Sequence, residues 1–358
     1  MEKRVLIPAL KPENVFFDGI EKASTWQFHY GDLNTSVKEY DVVLIHWPEH
    51  LFNWQEPTKE QLNLLEQRLK IWQNNTRIVY IMHNEKRHYG MTTNFETLYK
   101  LVYNYCHAIV HLGAFSCETY KLKYPQKTQV VIPHPLYQVP FKNYDKTYAR
   151  QKLGIKPNQH VVIIPGAVRS LKERDLVLKA FNKLKIKNKL LLAPHMYYKK
   201  VSCEFPGRYR IRKYIDIKRL LEYIHNKEYN KKYRFSYGFV PPEQLSLLMA
   251  AADVVFIPRI NSLNSGIVFL GMTFNKVVVG PEIGNISEVL HQFNLPMYNP
   301  HNISSVTKAL NKAFQMYKNP YTYPEETLQN YHPKNVAAKW DTFLQALCNN
   351  PKQTTHTQ

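Results

Sequence analysis

The chain has 358 residues, which is enough for two ordinary domains with cores of their own. Apolar residues make up 44% of it, which excludes a disordered protein, and no apolar stretch reaches the roughly 18 residues that span a bilayer. The formal net charge of +20 leaves open nucleic acid, an anionic membrane surface or an anionic substrate as partner, or a general abundance of lysine without a specific partner.

The first part of the chain alternates apolar runs with helical patterns. Residues 5–10 predict a first strand rather than a signal peptide, and further strands are predicted at residues 41–47, 76–84, 107–112 and 129–135. Thr58 and Gln61 have the spacing of a capping box, and an apolar helix stripe follows at Leu62, Leu65, Leu69 and Trp72. This alternation predicts a doubly wound α/β domain.

Prolines and charges interrupt the pattern at residues 138–158, which predicts a linker. The pattern then begins again, with strands at residues 160–168 and 189–194 and a helix at about 171–184. Residues 234–290 repeat one arrangement, in which a buried apolar run ends in a loop that opens a helix. Ligands of parallel sheets bind beyond the carboxyl ends of the strands, so the loop of residues 259–265 is a candidate binding loop.

Two loops at strand ends suit an anion. The N–H groups that open the helix at Ser265 and Gly266 can hold a phosphate, since glycine allows a close approach. After another strand, Gly166 is followed by Arg169 and Lys172, two cations that would bind a diphosphate. Each loop by itself is also compatible with an ordinary solvated surface, but together they predict a pocket for a nucleoside diphosphate.

Histidines follow three predicted strands of the first domain. They are His46, close to Glu49; His83 and His88, on either side of Glu85; and His134. A single histidine is usually structural, whereas three at one sheet edge indicate acid–base chemistry or acceptor binding. Neither these histidines nor the four cysteines have metal-ligand spacing. The cysteines also form no disulfide pattern, which favours reduced thiols and a cytoplasmic protein.

Residues 197–234 are basic and aromatic. They predict either a site for phosphates of a lipid or nucleic acid, or a solvated helix at residues 214–226. No zinc finger, helix-turn-helix or RNA-binding aromatic motif is present in the sequence, so we expect no nucleic-acid partner.

In its combined motifs the chain resembles the bacterial GT-B nucleotide-sugar glycosyltransferases of polysaccharide assembly, such as capsule or exopolysaccharide synthesis. The resemblance runs from about residue 41 to 347. It is carried by His46-Trp47-Pro48-Glu49, the "HN…H" loop that starts at His83, Pro133-His134-Pro135 with Tyr137, the loop from Gly166 to Lys172, the segment that starts at Phe239, and Asn264-Ser265-Gly266 with the later Gly280-Pro281.

The resemblance implies an α/β fold of two doubly wound, Rossmann-like domains that face a cleft. The acceptor-side domain is expected at 1–142 and the donor-binding domain at 143–332. A helix at 333–349 would cross back onto the first domain, and residues 350–358 would be a disordered tail. The implied donor-binding residues are Gly166, Arg169, Lys172, Phe239, Val240, Asn264, Ser265, Gly266 and Glu288. The implied acceptor-side or catalytic residues are Glu49, His46, His83 and His88.

The chain departs from the family in one respect. Many retaining relatives carry two glutamates in the donor domain, where this chain has Ser262 and Leu270. The sequence therefore leaves open whether the transfer inverts or retains the configuration of the sugar. It also leaves open whether the chain is an inactive copy of such an enzyme.

The predicted function is transfer of a sugar from a UDP- or GDP-sugar to a hydroxyl of a saccharide or a polyprenyl-linked acceptor. No metal or other cofactor is expected, because the sequence has no Asp-x-Asp triplet. A peripheral place at the inner face of the cytoplasmic membrane would suit the positive charge. Two alternatives remain, a nucleotide-sugar epimerase on the same scaffold and a basic, non-enzymatic nucleic-acid-binding protein.

Overall fold

The computed structural model describes the chain at residues 3–11, 15–87, 90–138, 140–197, 232–319 and 321–349. These residues form two units. The first comprises the described residues of Met1–Tyr137 and of Glu325–Gln358, and the second those of Gln138–Pro324. The sequence predicts these boundaries at 142/143 and 332/333, a few residues later in each case.

The first unit has a parallel sheet of six strands in the described residues: β1 (Arg4–Ile7), β2 (Gln27–Tyr30), β3 (Val42–Ile45), β4 (Arg77–Met82), β5 (Ala108–His111) and β6 (Thr128–Val131). Their order is β2-β1-β3-β4-β5-β6, and each adjacent pair is parallel. All residues of β3 and β4 are buried, as continuous apolar runs favour. The sequence did not predict β2, because this half-buried edge strand lacks an apolar run.

Helices cover the faces of this sheet: α1 (Asp18–Ala23), the 3-10 helix η1 (Pro48–Phe52), α2 (Lys59–Asn75), α3 (Thr93–Tyr105) and α4 (Ala114–Lys121). The capping box is confirmed, since the Gln61 N–H donates to the Thr58 hydroxyl and the Thr58 N–H donates to the Gln61 side chain. The predicted stripe is also the buried face of α2, at Leu62, Leu65, Leu69 and Trp72.

The second unit repeats this plan with β7 (His160–Ile163), β8 (Lys189–Ala193), β9 (Tyr233–Phe235), β10 (Val254–Phe256), β11 (Val277–Pro281) and β12 (Met297–Tyr298). The parallel order is β12-β11-β10-β7-β8-β9. Its described helices are α5 (Lys146–Lys152), α6 (Leu171–Lys183), α7 (Pro242–Ala251), α8 (Gly266–Thr273), α9 (Gly284–Gln292) and α10 (Ile303–Lys318).

Each sheet has a point where its strand order reverses. In the first unit the chain runs from β1 outward to β2 and returns to β3 on the other side of β1. In the second it runs from β7 out through β8 and β9 and returns to β10 beside β7. At such a switch point the loops after the two adjacent strands diverge and leave a crevice that binds ligands. The loops after β7 and β10 are the two that the sequence predicts to bind an anion.

The C-terminal helix returns to the first unit. After α11 (Glu325–Leu328) and a 3-10 turn (Gln329–Tyr331), α12 (Pro333–Asn349) packs against α1. Trp340 is fully buried in the core of the first unit, 6.4 Å from Phe17 between ring centroids. The Asp341 carboxylate accepts from the Thr25 N–H at 2.8 Å. The predicted crossing back of the last helix is therefore confirmed.

The predicted helix at 214–226, the predicted tail at 350–358 and the predicted site residue His88 fall outside the described residues. No helix of the described residues combines the length and the apolar character that crossing a membrane requires.

Candidate functional site

The loop after β7 carries Gly166 and Arg169, Lys172 follows in the first turn of α6, and the loop is held from within its own unit. Ser170 caps α6 by accepting from the Glu173 N–H at 3.2 Å, and the Glu173 carboxylate accepts from the Arg169 N–H at 2.7 Å. These bonds fix the backbone at the start of α6. The Arg169 side chain is half-buried and that of Lys172 is exposed.

One buried arginine joins this loop to the loop after β10. The Arg259 guanidinium donates to the carbonyl of Ala167 at 2.9 Å and pairs with the Glu173 carboxylate at 3.1 Å. The side chains of Arg259 and Glu173 are only 3% and 7% exposed. No sequence motif assigned a role to Arg259. Its position directly after a buried strand and a proline was the available signal.

The two loops also meet through a glycine. A Cβ added to Gly166 would lie 2.4 Å from the Ile267 Cδ1 atom, closer than real contacts allow. Gly166 therefore lies directly against the first turn of α8. The structure thus brings the predicted residues Gly166 and Gly266 into neighbouring loops at the switch point.

The loop that contains Asn264, Ser265 and Gly266 rests on the start of the next helix. The Asn285 amide donates to the Asn264 side-chain oxygen at 2.8 Å, and the Asn285 N–H donates to the carbonyl of Leu263 at 2.9 Å. Gly284, which opens α9, has φ +53°, and a Cβ there would lie 2.7 Å from the Leu263 carbonyl oxygen. These contacts fix the conformation of the loop that precedes α8.

The start of α8 has anion-binding character. Ser265 is the N-cap residue, and its side chain makes no capping hydrogen bond within the described part of the chain. The first N–H groups of a helix carry partial positive charge and have no partner inside the helix. With Arg169 on the loop after β7 and Lys172 in the first turn of α6, this end of the sheet is suited to a diphosphate.

The remaining predicted donor residues lie on other elements of the same unit. Phe239 and Val240 follow β9, with Phe239 67% exposed and Val240 buried. Glu288 is half-buried on α9. Contacts of these residues with a base, ribose or sugar stay predictions.

The positions of the two missing family glutamates are structural in this chain. The hydroxyl of buried Ser262 donates to the carbonyl of Asn264 at 2.8 Å, and Leu270 is buried in α8. The carboxylate of Glu282 is exposed in the loop after β11. β11 neighbours β10, so Glu282 follows the strand next to the binding loops, although no sequence motif marked it.

In the first unit, three of the predicted histidine positions surround one phenylalanine. The ring of Phe16 lies 4.9 Å from His46, 5.3 Å from His83 and 4.8 Å from His134, measured between centroids. His83 also stacks on Trp47 at 4.5 Å. The structure therefore gathers these histidines into one cluster, which we call the histidine cluster. His88 lies outside the described residues.

Burial keeps two of these histidines neutral at pH 7. It lowers the pKa of His46 to about 3, with smaller contributions from His50 and His134, and it lowers the pKa of His134 to about 4. The His134 Nδ1 atom faces the Pro135 carbonyl at 2.7 Å and must donate to it, so Nε2 accepts from the Tyr137 hydroxyl at 3.2 Å. The His46 Nε2 atom is buried and has no hydrogen-bond partner among the described residues.

Glu49 differs from the histidines in its electrostatics. Its carboxylate is 1% exposed, and burial raises its pKa, against the opposing effects of a backbone N–H, Tyr99 and Arg87. The Tyr99 hydroxyl donates to Oε1 at 2.8 Å, while Oε2 has no partner in the described part of the chain. A base works best when its pKa approaches the working pH, which favours Glu49 over His46. Its catalytic role stays a prediction.

The grouping of metal-ligating side chains can be followed across the described part of the chain. Among the described residues, no three side chains of histidine, cysteine, aspartate or glutamate lie together as a metal site requires.

The comparison with protein families gives one match. Residues 145–327, just over half of the chain, match the family "Glycosyl transferases group 1". No curated protein matches the sequence closely enough to count as a relative.

Solved structures of glycosyltransferases resemble the whole chain. Sucrose-phosphate synthase from Thermosynechococcus elongatus has a TM-score of 0.66 and 12% identity, and the match covers 97% of this chain and 99% of that one. HepE from Anabaena, in complex with UDP and glucose, has a TM-score of 0.65 and 14% identity, covering 97% and 100%. A glycosyltransferase from Rickettsia africae has a TM-score of 0.58 and 13% identity, covering 98% and 100%. At these identities the likeness shows the fold, and it confirms the predicted GT-B class.

Proposed function

Since the chain belongs to the group 1 glycosyl transferase family, we propose that it moves a sugar from a nucleoside-diphosphate sugar to an acceptor hydroxyl. Glycosyl transfer follows from the family. The donor, the acceptor and the independence from metal are the proposal.

The observation that carries the donor assignment is the pair of joined loops at the switch point between β7 and β10. Arg259 connects both loops, and Arg169 and Lys172 follow Gly166, which lies against the first turn of α8. Arginine binds phosphate oxygens through two N–H groups, and lysine adds a point charge. The complex of HepE, a protein of the same fold, contains UDP, which agrees with a uridine or other nucleoside diphosphate as the donor group.

These groups also suit the chemistry of the leaving group. When the bond from the sugar to the diphosphate breaks, negative charge accumulates on the diphosphate oxygens. Cations and N–H groups held in place beforehand stabilise that charge without reorganisation. In this proposal Arg169, Lys172 and the first turn of α8 stabilise the charge of the leaving diphosphate, as a bound metal ion does in metal-dependent enzymes.

We assign the acceptor to the first unit. There Glu49 would accept the proton of the acceptor hydroxyl if the reaction inverts the sugar configuration, and neutral His46 would offer a hydrogen bond. If the reaction retains the configuration, both groups position the acceptor. A saccharide or a polyprenyl-linked saccharide fits this role.

The donor assignment is tested by titrating the full chain with UDP-, GDP- and dTDP-sugars, with and without EDTA. We expect Arg169→Ala to weaken donor binding roughly thirtyfold, because a charged hydrogen bond contributes about 2 kcal/mol. Lys172→Ala should act in the same direction. Lys179→Ala, an exposed lysine on the same helix, is the matched control and should bind as the wild type does.

Donor binding that is unchanged in both Arg169→Ala and Lys172→Ala would refute the phosphate assignment. Loss of donor binding in EDTA would refute metal independence alone.

A further inference from the structure

The first unit contains a cavity that the donor assignment does not involve. It measures about 610 Å³, within the roughly 300–1,000 Å³ typical of ligand pockets. Its walls are the loop after β2, the segment that includes η1 after β3, and one face of α2. We call it the α2 pocket.

One wall of the α2 pocket is apolar and accessible. Leu64 and Ile71 line it from α2 and are 63% and 48% exposed, on a different face from the core stripe that begins at Leu62. Leu51 and Phe52 line it from η1. Such side chains can pack against the C–H face of a ligand ring.

The rest of the lining is polar and rich in amides. Asn34, Asn53, Gln55 and Gln67 line the pocket, and each side-chain amide can both donate and accept hydrogen bonds. A sugar hydroxyl likewise donates one hydrogen bond and accepts others, so amides match it. An alkyl chain would desolvate these amides without replacing their hydrogen bonds, which is costly.

Charge in the α2 pocket favours a neutral ligand. Among the described residues that line it, Asp32 and Glu56 are accompanied by one cation, Arg68, although the chain as a whole has a formal charge of +20. An excess of carboxylates in so basic a protein disfavours a phosphate or an anionic lipid headgroup.

From these observations we propose that the α2 pocket binds a neutral saccharide, as a subsite for a sugar residue of the acceptor. The proposal rests on the proposed glycosyl transfer. The five-residue helix η1 connects the two features, because it carries Glu49 as well as the pocket residues Leu51 and Phe52. A saccharide held in the pocket is thus held by the element that carries the predicted base.

The test uses the full chain and three neutral disaccharides, namely cellobiose, lactose and chitobiose, in NMR titrations. We expect at least one to bind. Leu64→Arg, which places a long cation in the pocket, should weaken that binding about tenfold or more. Gln67→Leu, which replaces an amide with an apolar side chain of similar size, should weaken it as well.

Asn63→Arg is the matched control, since it adds the same charge at the adjacent exposed position of α2, outside the pocket lining. Equal binding in the wild type, Leu64→Arg and Asn63→Arg would overturn the proposal, as would no binding of any disaccharide. UDP-sugar binding measured on the same proteins separates the two proposals. Absence of UDP-sugar binding contradicts the donor assignment. The proposal for the α2 pocket is tested by saccharide binding alone.

Discussion

At the scale of single residues, the predicted donor loop depends on a residue that the sequence analysis did not assign. Arg259 is buried and binds both the Ala167 carbonyl and the Glu173 carboxylate. Arg259 and Glu173 are 86 residues apart in the sequence. A buried ion pair of this kind adds little net stability, but the removal of one partner leaves a buried charge.

We therefore expect Arg259→Met to lower the free energy of unfolding by about 3–5 kcal/mol. Urea denaturation followed by circular dichroism measures this. The control is Arg174→Met, because Arg174 forms a solvent-accessible pair with Asp175 at 3.5 Å and should cost less than about 1 kcal/mol. Similar losses in both variants would contradict the importance assigned to the buried pair.

The second prediction at this scale concerns Glu49. Hydrogen bonding from Tyr99 favours the charged carboxylate and opposes the effect of burial on its pKa. Tyr99→Phe removes that bond, so the pKa of Glu49 should rise further. If Glu49 is the base, it acts only above its pKa, and the acid limb of the profile of kcat/KM against pH should move to higher pH.

The comparison variant is Tyr103→Phe, on the same helix as Tyr99. An acid limb that moves equally in the two variants, or in neither, would argue against Glu49 as the titrating base.

At the scale of elements, the binding loop depends on how the next helix begins. Gly284 has positive φ and lies against the Leu263 carbonyl, whereas Gly154 has a similar φ of +58° and, its chain neighbours apart, no described residue within 4 Å of its Cβ position. The left-handed conformation costs roughly 1–2 kcal/mol for a residue with a Cβ atom.

We therefore expect Gly154→Ala to lower stability by about 1 kcal/mol without a change in donor binding. Gly284→Ala should cost more, because its methyl group also displaces the loop of residues 262–265, and it should weaken donor binding. Thermal unfolding and UDP-sugar titration of both variants measure the difference. Identical behaviour of the two variants would show that the contact at Gly284 does not hold the loop.

At the scale of the whole molecule, the charge of +20 predicts an attraction to anionic surfaces. Each lysine or arginine near an anionic bilayer contributes about 1 kcal/mol, and salt screens this attraction. We expect the chain to sediment with phosphatidylglycerol vesicles at low salt, to be released at high salt, and to remain in solution with phosphatidylcholine vesicles. Sedimentation that is independent of lipid charge would exclude this proposed membrane contact.

The sequence by itself determined the alternation of strands and helices in both units and several local features. Continuous apolar runs predicted most strands, Thr58 and Gln61 predicted a capping box, and Arg169 and Ser265 marked the loops that suit an anion. These features depend on neighbours in sequence, so a pattern of residues is enough to recognise them. The edge strand β2 was not predicted, because its four residues form no continuous apolar run.

Only the tertiary structure decided which distant groups meet. β7 and β10 are separated by about a quarter of the chain, and only the crossover that places them side by side brings Arg259 to Glu173. The low pKa of His46 likewise follows from burial by residues remote in sequence. The α2 pocket joins segments after β2 and β3 to a face of α2. The Arg259–Glu173 pair, the pKa of His46 and the α2 pocket all depend on contacts between segments distant in sequence and on exclusion of water. A local sequence pattern predicts neither of these.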